Sequence, residues 1–137
     1  MLQKIVARYV DGRVIKGHTN NFSPTSREFM LQVHDAPATD DAVRIEIRDL
    51  KAIFFVKDFL GRRNYQKRDV FTPHQPYQGR RVKVTFKDRE SALGATPEYN
   101  PKAQGFFFFP ADMDGNTLKA YIVNAAVEDV ETFRQPV

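Results

Sequence analysis

With 137 residues, 28% charged and 42% hydrophobic, the chain has the make-up of one ordinary folded domain or two very small ones, which excludes disorder as its default state. It contains no cysteine, which excludes a disulfide framework, a thiolate nucleophile and a thiolate metal site. A net charge of +4 permits anionic partners without requiring them. The start of the chain carries no apolar leader and no stretch approaches membrane-spanning length, so a soluble cytoplasmic protein is expected.

The 12 Phe and 5 Tyr lie mostly among β-branched or alternating neighbours, which favours strands. Residues 2–10 alternate as an extended segment, and Asp11-Gly12 then supplies a hairpin turn, because such turns need positive φ at their centre. Val14, Ile15, Gly17 and Thr19 return as a second strand, in which Gly17 predicts a sharp bend or bulge. After a polar turn with one apolar plug, Phe22, a third strand carries Phe29, Leu31 and Val33. Val43, Ile45 and Ile47 alternate with Arg44, Glu46 and Arg48 in a half-buried fourth strand. A short turn at residues 49–51 leads into a fifth strand over residues 52–57. Periodicity then lapses through a basic, Pro-containing connector, residues 58–78.

The pattern restarts in register. An offset of 77 aligns Ile5 with Val82 and runs without a gap to Val56 over Phe133. Seven positions are identical: Asp11/Asp88, Gly17/Gly94, Thr19/Thr96, Pro24/Pro101, Phe29/Phe106, Asp35/Asp112 and Ile45/Ile122. Chance gives roughly three over such a span. Matched core character at Tyr9/Phe86, Phe22/Tyr99, Leu50/Val127 and Ile53/Val130 adds to the identities and indicates an internal duplication. Gly12 becomes Arg89 in the second copy, which weakens its hairpin signal.

The chemistry-bearing residues are sparse. His18, His34 and His74 have no metal-ligand spacing and read as surface or turn residues. Asp35 and Asp112 end matching strands and read as turn carboxylates accepting backbone N–H bonds. Asp112, Asp114 and Asn116 have the spacing that opens a calcium loop, but Thr117 and Val123 stand where its glycine and distal glutamate belong, which leaves an Asp-Gly turn. No nucleophile motif or phosphate-binding glycine loop is present, so neither an enzyme nor a cofactor is expected.

Two sets of residues stand out as binding candidates. Phe106 to Phe109 alternate across a strand, so one pair fills the second module and the other covers a further surface. Phe107 and Phe109, with Phe54 and Phe55, are the expected inter-module interface. Arg62, Arg63, Tyr65, Lys67 and Arg68, followed by Arg80 and Arg81, would form an anion-binding patch if the connector folds across the modules.

Strand, Asp-Gly, strand with a central glycine, aromatic strand and a short turn before the closing strand together resemble Sm-like RNA-binding proteins in topology and glycine placement. Residues 49–59 (DLKAIFFVKDF), 82–88 (VKVTFKD) and 109–112 (FPAD) are similar to an uncharacterised bacterial domain family found alone or attached to signalling and chemotaxis-type regulators. That resemblance covers nearly the whole chain and implies an accessory or signalling module. A partial likeness to PilZ-type cyclic-di-GMP receptors rests on Asn21-Phe-Ser23 and on Arg63 to Lys67; Ser26 replaces the glycine of that motif, and the basic run follows it instead of preceding it.

The expected fold is all-β: two tandem five-stranded SH3/Sm-like barrels, 1–57 and 79–134, with a single sandwich or barrel of internal pseudo-twofold symmetry as the alternative. The expected function is a non-catalytic bacterial binding or adaptor module in regulation that recognises a protein partner. The alternative is a module binding RNA, DNA or a cyclic dinucleotide through the basic connector. No membrane partner is expected, and a homo-oligomer is possible.

Overall fold

The computed structural model describes residues 2–37, 40–60, 71 and 79–133. Ten strands follow in order: β1 (Gln3–Tyr9), β2 (Val14–Thr19), β3 (Glu28–Val33), β4 (Val43–Glu46), β5 (Leu50–Val56), β6 (Arg80–Phe86), β7 (Ser91–Thr96), β8 (Gly105–Pro110), β9 (Thr117–Val123) and β10 (Val127–Thr132). One-turn 3-10 helices, Ile47–Asp49 and Asn124–Ala126, precede β5 and β10. No helix among the described residues is long and apolar enough to cross a membrane.

The all-β expectation and the duplication meet in the register. Every first-repeat strand start except that of β4 recurs 77 residues later, and so does the 3-10 turn. The links between strands recur as well. Val10 N–H donates to Asp49 O as Lys87 N–H does to Ala126 O, and Ile47 N–H donates to Arg27 O as Asn124 N–H does to Gln104 O. Ile47 belongs to this turn rather than to the fourth strand, which ends at Glu46. Its buried side chain mimics strand alternation.

The two expected barrels are not separate closed bodies. All ten strands form one open antiparallel sheet in the order β10-β6-β7-β8-β9-β5-β1-β2-β3-β4. The reason lies in β5, whose burial is nearly unbroken from Leu50 to Val56. A strand apolar on both faces must be covered on both. It pairs with β1 of its own repeat on one edge and with β9 on the other. Because the sheet is open, it is not the single closed barrel of the alternative expectation either. Fourth strand joins fifth strand, a head-to-tail junction rather than a self-complementary one.

Two hydrophobic clusters lie on opposite faces of this central wall. Leu50, Ile53 and Phe55 of β5 and Tyr121 and Val123 of β9 join Phe29, Leu31 and Ile45 of the first repeat. Ala52 of β5 and Ala120 and Ile122 of β9 join Val82, Val84, Phe106 and Phe108 of the second. The plug Phe22 sits with its ring centroid 5.2–6.3 Å from those of Phe29, Phe55, Phe107 and Tyr121, in edge-on contacts that span both repeats. The buried Tyr121 hydroxyl donates to Pro24 O at 3.2 Å, and Gln104 Nε2 donates to Ser26 O at 2.9 Å.

The second hairpin forms despite its missing glycine. Arg89 takes the left-handed conformation, φ 79°, where Gly12 has φ 96°. A side chain there is strained by Cβ–carbonyl crowding. Arg89→Gly is therefore expected to raise stability by about 0.5–1 kcal/mol, measured as a higher denaturant midpoint with unchanged slope. An unchanged or lower midpoint contradicts the strain.

Candidate binding cleft at the repeat junction

The sheet curls β6 and β7 over the second-repeat face of the wall, and the fold-over does not close. A cleft of about 300 Å³ remains, walled by Phe54, Phe86, Phe108, Ala92, Ala120 and Ile122. The duplication explains why it is open. Ala92 stands where the first repeat has Ile15, and Ala120 where it has Val43. Ile15 packs against the first cluster, whereas its counterpart is truncated to a methyl group.

One rim of the cleft is ionic. Lys51 Nζ lies 2.7 Å from Asp88 Oδ2, 3.2 Å from Glu90 Oε1 and 4.6 Å from the Phe86 ring centroid. Lys51 is buried, though both carboxylates are about half exposed. Arg8 Nη2 approaches Glu90 Oε1 at 3.3 Å. Lys51 and Arg8 belong to the first repeat and the carboxylates to the second, so this cluster locks the junction. The opposite rim holds Asp112, Asn116 and Thr117. Asp112 is buried and its Oδ1 accepts the Asp114 N–H at 3.1 Å, the turn role expected of it.

Hydrogen bonding to Lys51 is the main cause that holds the Asp88 and Glu90 carboxyls below their ordinary range. Depressed carboxyls add stability above the unfolded-state range near pH ~4, and lose it as pH falls through their lower folded values. Lys51→Met keeps the stem over Phe86 and removes the charge. The acid limb of stability is expected to become shallower below pH ~4 in that variant, in denaturant titrations across a pH series. An unaltered limb removes the ion cluster from the account.

The residues singled out in the sequence are distributed differently. Phe55 is buried in the first cluster, and Phe54 packs on the second and walls the cleft. Phe107 packs on the first cluster although its strand belongs to the second repeat; Phe109 is half-buried and pairs with Ala95. Arg62, Arg63, Tyr65, Lys67, Arg68 and His74 lie outside the described residues. Arg80 is exposed at the start of β6, and the Arg81 guanidinium sits 4.7 Å from the Phe71 ring centroid. His18 and His34 pack on Phe59, at centroid distances of 5.1 and 4.2 Å. The Lys51 cluster and the two alanines escaped the sequence reading. The signal was there, because aligning the repeats shows a large-to-small change on β7, at Ala92, and another on β9, at Ala120.

The family described as a family of unknown function (DUF6982) matches residues 1–134. The chain belongs to DUF6982. No curated protein and no solved structure matches it. For this DUF6982 chain the match spans both repeats and the connector, so the duplicated unit as a whole is what the family describes.

Proposed function

We propose that the chain is a non-catalytic binding or adaptor module that recognises a protein partner, and that the junction cleft receives an apolar anchor side chain of that partner. The cleft carries the reading. Its volume lies at the low end for small-molecule pockets, a size suited to one large side chain. Its walls are apolar, and the cationic groups on its rim are paired with carboxylates. Met113, next in sequence to the rim residue Asp112, is exposed, which extends the apolar surface beyond the mouth. Within each repeat the fifth strand lies beside the first and follows a 3-10 turn, an order that supports relating each half to SH3- or Sm-like folds.

Selection of a displayed peptide library against the full chain, followed by calorimetry on the enriched peptides, tests this. The peptides are expected to share one aromatic or large aliphatic anchor. Ala92→Ile, which restores the first repeat's residue, should weaken them at least about tenfold while raising stability by about 0.5–1 kcal/mol. Peptides that bind the filled variant equally well, or a selection that enriches none, contradict the proposal. Single-stranded RNA binding that falls steeply with salt would instead favour the basic residues.

A further inference from the structure

The head-to-tail junction leaves two unlike edges, β4 at one end of the sheet and β10 at the other. These are the repeat counterparts of the two strands that meet at the junction, β9 and β5. A second copy of the chain could therefore extend the sheet by laying its β10 on β4, repeating the junction between molecules. Head-to-tail contacts of this kind propagate into rings or filaments unless something stops them.

The junction register shows what stops them. It sets Ala52 opposite Ile122, Ile53 opposite Tyr121 and Phe54 opposite Ala120. Moved by the repeat offset, it would set Asp129 opposite Ile45, Val130 opposite Arg44 and Glu131 opposite Val43. Ala52 and Phe54, which pack into the second cluster, are thus replaced by Asp129 and Glu131. Tyr121, buried in the first cluster, is replaced by Arg44. Successive residues of a strand face opposite sides of the sheet, so Arg44 would lie on the face away from both carboxylates and could not neutralise them. All three are exposed in the chain, and Arg44 Nε lies 3.4 Å from Glu28 Oε2. Pairing the edges would strip Asp129 and Glu131 of water with no cation on their face, and would desolvate the Arg44–Glu28 pair.

Ordinary edge protection scatters charge along a strand. Here the charges fall at the positions that are apolar in the joined pair. We propose that β4 and β10 are the two halves of a latent interface for a second copy of this chain, held shut by Arg44, Asp129 and Glu131, and that the β5–β9 seam is the same interface made internal. Its exposed apolar remnant is Val43, which lies opposite the buried Leu31 of β3.

Two edge variants test it by sedimentation analysis. Arg44→Tyr/Glu46→Val gives β4 the character of β9, and Asp129→Ala/Glu131→Phe gives β10 the character of β5. Wild type and each variant alone should be monomeric, because each still has at least one blocked edge. An equimolar mixture of the two should form a one-to-one dimer. Should a Phe-bearing variant fail to fold, a milder pair serves: Val43→Cys/Arg44→Gln in one chain and Asp129→Asn/Glu131→Cys in the other, with the new cysteines opposed. These should form an inter-chain disulfide absent when Arg44 and Asp129 are kept. A mixture of folded variants that stays monomeric overturns the proposal, and so does cross-linking between positions 43 and 131 that is as efficient with those charges in place.

Discussion

Gly94→Val is expected to destabilise the protein by about 3 kcal/mol or more, a substantial fraction of an ordinary domain's margin of ~5–15 kcal/mol. Strands β7 and β8 are paired at only two register positions, Gly94 with Pro110 and Ala95 with Phe109. The sheet turns over itself there, bringing the backbones of the two strands together. A Cβ on Gly94 would fall within the Phe109 carbonyl oxygen and against the Phe108 ring. A flexible side chain could retreat, but the carbonyl belongs to the ladder and can move only if the strand does. Gly17 stands in the same relation to the Gln32 carbonyl, so Gly17→Val should cost a similar amount. The check is a denaturant midpoint for each variant. A loss below about 1 kcal/mol would mean that the fold-over is loose.

Phe55→Ala is expected to cost about 3–5 kcal/mol, the usual range for a buried phenyl ring. Phe55 is 3% exposed, meets Phe22 edge-on, and has the Lys119 ammonium 5.0 Å from its ring centroid. The more telling readout is where the loss appears. β5 also contributes Ala52 and Phe54 to the second cluster, so opening one face of the wall exposes the other. Amide exchange of Val84, on the far side, should speed up in step with the global loss, with unfolding remaining one transition. A second repeat that kept its protection while the first melted would show two independent units.

The strands and their duplication were legible because the repeats preserve alternation position by position, and because Gly17 and Gly94 mark the same fold-over. The joining of the halves was not. Alternation reports which faces a strand buries, and the doubly apolar run at residues 52–56 did announce two covered faces. Nothing in a single strand's pattern says which edge a distant strand will occupy. Ile47 misled for a related reason, since one buried residue in a 3-10 turn keeps the parity of the strand before it. Arg89 shows the opposite failure of local signals, because its β6–β7 hairpin forms against the residue's own preference, carried by the strands on either side. The cleft was hidden because alanine at a wall position looks like any small core residue until Ile15 is set beside Ala92.

The shared wall has a consequence for synthesis. β5 is complete at Val56, but its partner β9 begins at Thr117, about sixty residues later. At ribosomal rates of ~5–20 residues per second, the emerging first repeat presents an unpaired, apolar strand edge for roughly 3–12 s. The outer edges of the finished sheet carry charge, whereas this transient one carries Phe54 and Phe55 and cannot, because β9 must later bind it. The vulnerable moment for this chain is therefore on the ribosome. Two nascent first repeats on one message could pair with each other there before either receives its own second half.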